Sequence, residues 1–162
     1  LEGKLDVVFG RMPPSAVPDG YELVELPSAE MTVFVRNGHP LSQRLVPVRE
    51  LVEWEFIGFS GDALGQAQCA SYFKNLNLLP PRTVLQSSSL EILLTAVAKS
   101  DSLALLSDMM EERAATAGLQ RLRLDQPLWR ADLGICFHRQ GLESAPLRTL
   151  VELATNKATP AR

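Results

Sequence analysis

Serines, glycines and one arginine stand where apolar runs end, and they are the residues of this chain best suited to hold a ligand. Gln86-Ser87-Ser88 follows the apolar Val84-Leu85. Ser88-x-x-Glu91 has capping-box spacing: the hydroxyl takes an orphan N–H of a first helical turn, and Glu91 reaches back. Ser60-Gly61-Asp62 follows a strand-like stretch at 55–59, Ser107-Asp108 follows a short apolar one at 102–106, and Gly10-Arg11 follows LDVVF at 5–9. At such places a strand gives way to a turn or a helix start, and backbone N–H groups and hydroxyls suit small polar or anionic ligands. Each residue also has a plainer use. Ser87 and Ser88 serve as caps, Ser60-Gly61 makes an ordinary turn, and Ser107 or Asp108 caps the next helix. Arg11 either offers a planar fork to a carboxylate or caps strand-end carbonyls. Asp108 would repel an anion and reads as structural.

Catalytic motifs fail on spacing. Gly58-Phe59-Ser60-Gly61 begins like a nucleophile elbow, but Asp62 stands where the second glycine belongs. Ser71-x-x-Lys74 and Ser100-Asp101-Ser102 lack the Lys-Thr-Gly that would complete them. His39, in a turn before proline, and His138, at a strand end, have no acidic neighbour in sequence to build a triad. Cys69 and Cys136 fit no metal spacing. They read as small apolar packing residues, with a redox pair as the competing use.

Composition narrows the classes further. The 162 residues are 46% hydrophobic, enough for a core, with a net charge of −3 and no basic patch of the kind nucleic acid requires. No apolar run approaches a membrane span, and no signal peptide is visible. Two cysteines agree with a reducing cytoplasm.

The elements that position these residues follow from periodicity. Strands are expected at 5–9, 21–26, 31–36, 55–59, 83–86, 102–106, 119–124 and 133–138, with a loop at 12–20 and a turn at Asn37-Gly38-His39-Pro40. Helices are expected at 48–53, 66–76, 108–117 and 144–154. A further helix is marked by Leu90, Leu93, Leu94, Val97 and Ala98 on one face. Alternation of strand and helix from Val48 to Gly118 implies α/β class, with a parallel sheet covered on both faces. The strand at 5–9 is apolar on both faces and so expects neighbours on each side. The chain therefore reads as starting inside a fold.

Three stretches together resemble a known family: EGKLDVVFGR (Glu2 to Arg11), VFVRNGHPL (Val33 to Leu41) and the serine-rich βαβ unit ending SLALLS (Ser102 to Ser107). In this order they resemble the effector-binding domain of LysR-type bacterial transcriptional regulators, across nearly the whole chain. The resemblance implies two Rossmann-like lobes of periplasmic-binding-protein type II architecture, the first incomplete. Residues 1–36 plus 133–162 would form part of the first lobe, and 37–132 the second with its return crossover.

A small-molecule inducer would sit in the cleft, held by Gly10, Arg11, Ser60, Gly61, Ser87, Ser88 and Ser107. VFGR before a proline-bearing loop is similar to regulators of aromatic-compound catabolism and of sugar or acid uptake, which implies an aromatic or sugar-derived organic acid. No catalysis, metal or cofactor is implied. The implied partners are a second copy or three, and promoter DNA reached through a winged helix-turn-helix not found in these residues; the implied location is cytoplasmic. The competing reading is a solute-binding protein of the same architecture serving a transporter. The residues upstream of Leu1 would tell the two apart.

Overall fold

The computed structural model describes residues 6–12 and 17–158. Leu5 of the first expected strand and residues 13–16 of the expected loop lie outside them. The chain forms two compact units, one from residues 1–29 and 130–162, the other from Glu30–Trp129. The divisions fall inside one long strand and at the start of another, earlier than the lobe limits at 36 and 133 expected from the sequence.

In the first unit, β1 (Val7–Arg11) pairs antiparallel with β9 (Arg130–His138), from Val7 opposite Phe137 to Arg11 opposite Leu133. On the other side of β9 lies β2 (Tyr21–Arg36), whose first half belongs to this unit. Arg130 ties the two strands, donating from Nε to Ser28 Oγ at 2.8 Å and from Nη2 to Ser28 O at 2.6 Å. Helix α4 (Ala145–Ala158) supplies Leu147, Val151 and Ala154 to a core with Val7, Val24, Leu26, Ile135 and Phe137. That i, i+4, i+7 spacing puts one helical stripe on the sheet.

The expected break between strands at 26 and 31 does not occur: β2 runs unbroken through Pro27. Proline's fixed φ suits extended backbone, and its missing N–H is harmless where the ladder does not call on it. The strand changes partners nearby. Beyond Glu30 its residues pair antiparallel with β6 (Leu103–Ser107), Met31 opposite Ser107, and with β7 (Leu119–Arg121), Arg36 opposite Leu119.

The second unit is built on that half of β2. β6 lies parallel to β4 (Phe56–Phe59), and β4 is parallel to β5 (Thr83–Ser87). The helical crossovers between β4, β5 and β6 make this parallel arrangement possible. Helices α2 (Leu90–Ala98) and α3 (Glu111–Thr116) bury Leu93, Leu94, Val97 and Ala114 against Phe34, Ile57, Ala104 and Leu106. Val33, Val35 and Leu103, which alternate with these, are also fully buried, so both faces of the central strands are covered.

Between β4 and β5 runs α1 (Ala63–Asn75), which starts earlier than the sequence indicated. A small parallel pair, β3 (Leu45–Val46) with β8 (Arg123–Leu124), flanks a 3₁₀ turn at Val48–Glu53, where a short helix was expected. The single strand expected at 119–124 is split: Leu119–Arg121 pairs with β2, Arg123–Leu124 pairs with β3, and buried Leu122 between them still donates to Val33 O at 2.9 Å. The helix expected at 108–117 begins as a 3₁₀ turn, Asp108–Met110.

Candidate functional site

Parallel pairing brings the serine-bearing strand ends of the second unit together. Phe59 lies opposite Ser87, and the next residue, Ser60, donates its N–H to Ser87 O at 3.0 Å. On the other side of β4, Ile57 lies opposite Ala104, and three residues further along each strand stand Ser60 and Ser107. Ser107, Ser60 and Ser87 thus end three adjacent strands at their carboxyl edge, where open parallel sheets bind ligands. Gly61 turns the chain with φ +76°, a conformation glycine adopts without strain. Asp62 then caps α1, its Oδ1 accepting from Gly65 N at 3.0 Å.

The capping of α2 differs from expectation by one residue. Ser89, not Ser88, is the N-cap: its Oγ accepts from Ile92 N at 3.4 Å. Ser87 Oγ supports the turn by accepting from Ser89 N at 3.0 Å. Glu91 does not reach back; it forms an ion pair with Arg113 at 2.9 Å. Three consecutive serines offer identical capping chemistry, and β5 extends through Ser87, which moves the helix start along. Ser88 is left exposed at the edge, with no capping role. Replacing Ser89 with alanine is expected to cost about 1 kcal/mol, and Ser88 almost nothing. Urea titrations of both variants check this assignment, and a loss confined to Ser88→Ala would return the cap to Ser88.

Ser107 and Asp108 do not cap by their side chains either. Ser107 precedes the 3₁₀ turn without a cap hydrogen bond. Asp108 Oδ1 accepts from Glu30 N at 3.2 Å, so its carboxylate holds β2 in place. Gly10 and Arg11 belong to the first unit, at the end of β1, opposite Gly134 and Leu133. A Cβ added at Gly10 would meet nothing within 4 Å, so space there is open.

The remaining chemistry-bearing residues are structural. Ser71 and Lys74 are exposed on α1. Ser100 Oγ donates to Ala96 O at 2.9 Å and accepts from Ser102 N at 3.2 Å, closing α2. His138 lies in the first unit, accepting from Gln140 N. Cys69 and Cys136 are free thiols in different units. Burial pushes the Cys69 thiol up to about 11 and raises that of Cys136, which disfavours the reactive thiolate. Among the described residues no group of three or more His, Cys, Asp and Glu is placed to hold a metal ion. None of their helices is long and apolar enough to cross a membrane.

Sequence reasoning missed two features. Tyr72 on α1 donates to Pro127 O at 2.9 Å and packs its ring 5.3 Å from that of Trp129, joining α1 to the segment that leaves the unit. An open groove between α2 and α3, lined by Arg36, Leu94, Lys99, Arg113 and Thr116, lies apart from the serine tips. Neither left a local signal, because each joins residues distant in sequence.

Comparison with known proteins agrees with this architecture. The chain is 27% identical over 119 residues to the HTH-type transcriptional regulator GbpR of Azospirillum brasilense, covering 72% of this chain and 35% of that protein. It therefore spans about a third of that relative's length. The regulatory domain of Synechocystis PCC6803 CcmR, solved in complex with 2-PG, superposes with a TM-score of 0.76 at 17% identity, over 98% of this chain and 76% of that one. The effector-binding domain of QuiR, solved with shikimate, gives a TM-score of 0.75 at 14% identity, over 97% and 73%. At such identities these likenesses speak to fold. The sequence itself matches the LysR substrate binding domain over residues 1–159. The chain belongs to that family: it is an effector-binding regulatory domain of the LysR type, with the mixed α/β, periplasmic-binding-protein-like fold.

Proposed function

We propose that this domain senses a small organic acid, aromatic or sugar-derived, held in a cleft between two lobes. The lobes are residues 1–36 with 133–162, and 37–132. Ser60, Gly61, Ser87, Ser88 and Ser107 supply hydroxyl and backbone donors from the second lobe. Gly10 leaves room for the ligand, and Arg11 offers the carboxylate its guanidinium. The observation carrying this reading is the alignment of Ser107, Ser60 and Ser87 on adjacent strand ends. Complexes of two regulatory domains of like fold, one with 2-PG and one with shikimate, support a small-molecule ligand.

Binding favours one arrangement of lobes and of subunits, in a homodimer or homotetramer. That bias passes to promoter DNA through a winged helix-turn-helix elsewhere in the intact cytoplasmic protein. No chemistry is done on the ligand.

The test is a thermal-shift screen of organic acids on the intact protein, followed by isothermal titration of the best one. Arg11→Ala is expected to weaken binding about 10- to 100-fold, the range for a hydrogen bond to a charged group, and Ser60→Ala about 3- to 10-fold. Ser71→Ala should bind as wild type does. Unchanged affinity in Arg11→Ala would remove Arg11 from the site. If Ser60→Ala, Ser87→Ala and Ser107→Ala all bind normally, the strand-tip reading fails.

A further inference from the structure

We propose that His39 is a proton-sensitive clasp in the second unit, fastening the turn after β2 to the loop between α2 and β6, and that acid opens it. His39 is 1% exposed. Its Nδ1 accepts from Leu41 N at 3.1 Å, and its Nε2 lies 3.1 Å from Asp101 O. A carbonyl oxygen only accepts, so Nε2 carries the ring hydrogen and Nδ1 is bare. Both ring nitrogens are therefore committed, and only the neutral form satisfies both partners. A second proton would sit on Nδ1 and point at the Leu41 N–H, so that bond is lost and a buried N–H is left unpaired.

The surroundings relieve the extra charge only in part, and burial outweighs that relief. From β2, the charge of Arg36 opposes an imidazolium, more weakly than burial does. From the α2–β6 loop comes Asp101, whose carbonyl and carboxylate both favour an imidazolium, although the carboxylate is already bound to Arg36 at 2.6 Å. From the 3₁₀ segment at Val48–Glu53 comes its C-cap Trp54, an uncharged indole whose ring centroid lies 4.7 Å from that of His39. Turning Asp101 toward His39 would strand Arg36. Burial accordingly holds His39 below the ordinary imidazole range.

The backbone of His39 also holds its own turn together. His39 N donates to Arg36 O at 3.2 Å, and His39 O accepts from Ser42 N and Ser42 Oγ at 2.9 and 2.7 Å. Gly38, at φ +72°, makes the turn that brings the ring inward. Since the folded state prefers the neutral ring, its contribution to stability is complete above the ordinary imidazole pKa of about 6.5. It is lost as pH falls from there through the lowered folded value.

The experiment compares wild type with His39→Gln between pH 7.5 and 5. A glutamine can accept from Leu41 N through Oε1 and donate to Asp101 O through Nε2, and it does not titrate. Wild type is expected to lose at least about 4 °C in Tm over this range relative to His39→Gln. Hydrogen exchange at Leu41 and Leu103, corrected for intrinsic rates, should rise about tenfold in wild type only, while β1 and β9 stay unchanged. Equal pH dependence in the two proteins overturns the proposal. Should His39→Gln fail to fold, nitrogen-15 spectra of a His138→Gln protein isolate the one remaining imidazole. The Nε2–H form persisting below pH 6.5 supports the clasp; an Nδ1–H form, or titration at the ordinary value without change at Leu41, overturns it.

Discussion

Phe34→Ala is expected to remove about 3–5 kcal/mol from the second unit, most of what a domain of this size has to spare. Phe34 is 1% exposed and lies in β2 between Ala104 of β6 and Arg121 of β7. Its ring packs in the cluster that receives Leu93, Leu94 and Val97 from α2 and Ala114 from α3. Removing it takes away the apolar burial and leaves a cavity that the surrounding strands, held by their ladders, fill only in part. Urea unfolding followed by far-ultraviolet circular dichroism measures the loss, and hydrogen exchange locates it. Protection should collapse in β4, β6 and α2 and survive in β1 and β9. A loss below about 1 kcal/mol would mean the cluster is not the unit's core.

Gly134→Val is the matching experiment in the first unit, with an expected cost of about 1–3 kcal/mol from overpacking. A Cβ at Gly134 would lie 2.5 Å from Leu23 Cδ1 and 3.2 Å from the carbonyl oxygen of Val24. The leucine tip can swing aside, but the carbonyl belongs to the strand backbone and cannot move without disturbing β2. Valine's second branch adds to the crowding. Gly10, directly opposite Gly134 in the ladder, meets nothing within 4 Å. Gly10→Ala should therefore change stability by less than about 0.5 kcal/mol, which makes it a clean probe of ligand binding. Hydrogen exchange in Gly134→Val should rise in β1, β9 and α4 and leave β4 to β6 protected. If Gly134→Val and Gly10→Ala unfold at the same urea concentration, the close packing of Leu23 on β9 is wrong.

Most elements were legible because their signals are local. The alternation in MTVFVR, the helical stripe from Leu90 to Ala98 and the turn at Asn37-Gly38 each need only a few neighbouring residues to be recognised. The errors come where a local signal has two solutions of similar energy. Ser87, Ser88 and Ser89 all cap equally well, and the pairing of Phe59 with Ser87 decided among them. Pro27 marks a break when read alone, yet β2 passes through it, with Ser28 gripped by Arg130. The run from Leu119 to Leu124 alternates like one strand, but its two halves pair with different strands, β7 with β2 and β8 with β3.

For the candidate site, the residue types and their places at strand ends came from the sequence. Their adjacency in the second unit came from the order of the strands. Asp108 read as structural, and its bond to Glu30 N agrees. His39 read as a turn residue with no acidic neighbour in sequence, and one of its two ring partners is a backbone carbonyl 62 positions away.

The sequence by itself determined the α/β class, the order of most strands and helices, and the family resemblance, since these rest on short-range periodicity and turn chemistry. Only the tertiary structure decided which serine caps α2, that β2 is one strand serving two units, and that His39 is sealed in a fixed tautomer. Those outcomes depend on which distant backbone groups meet each N–H and carbonyl, and hydrogen-bond partners far along the chain leave no mark on local sequence.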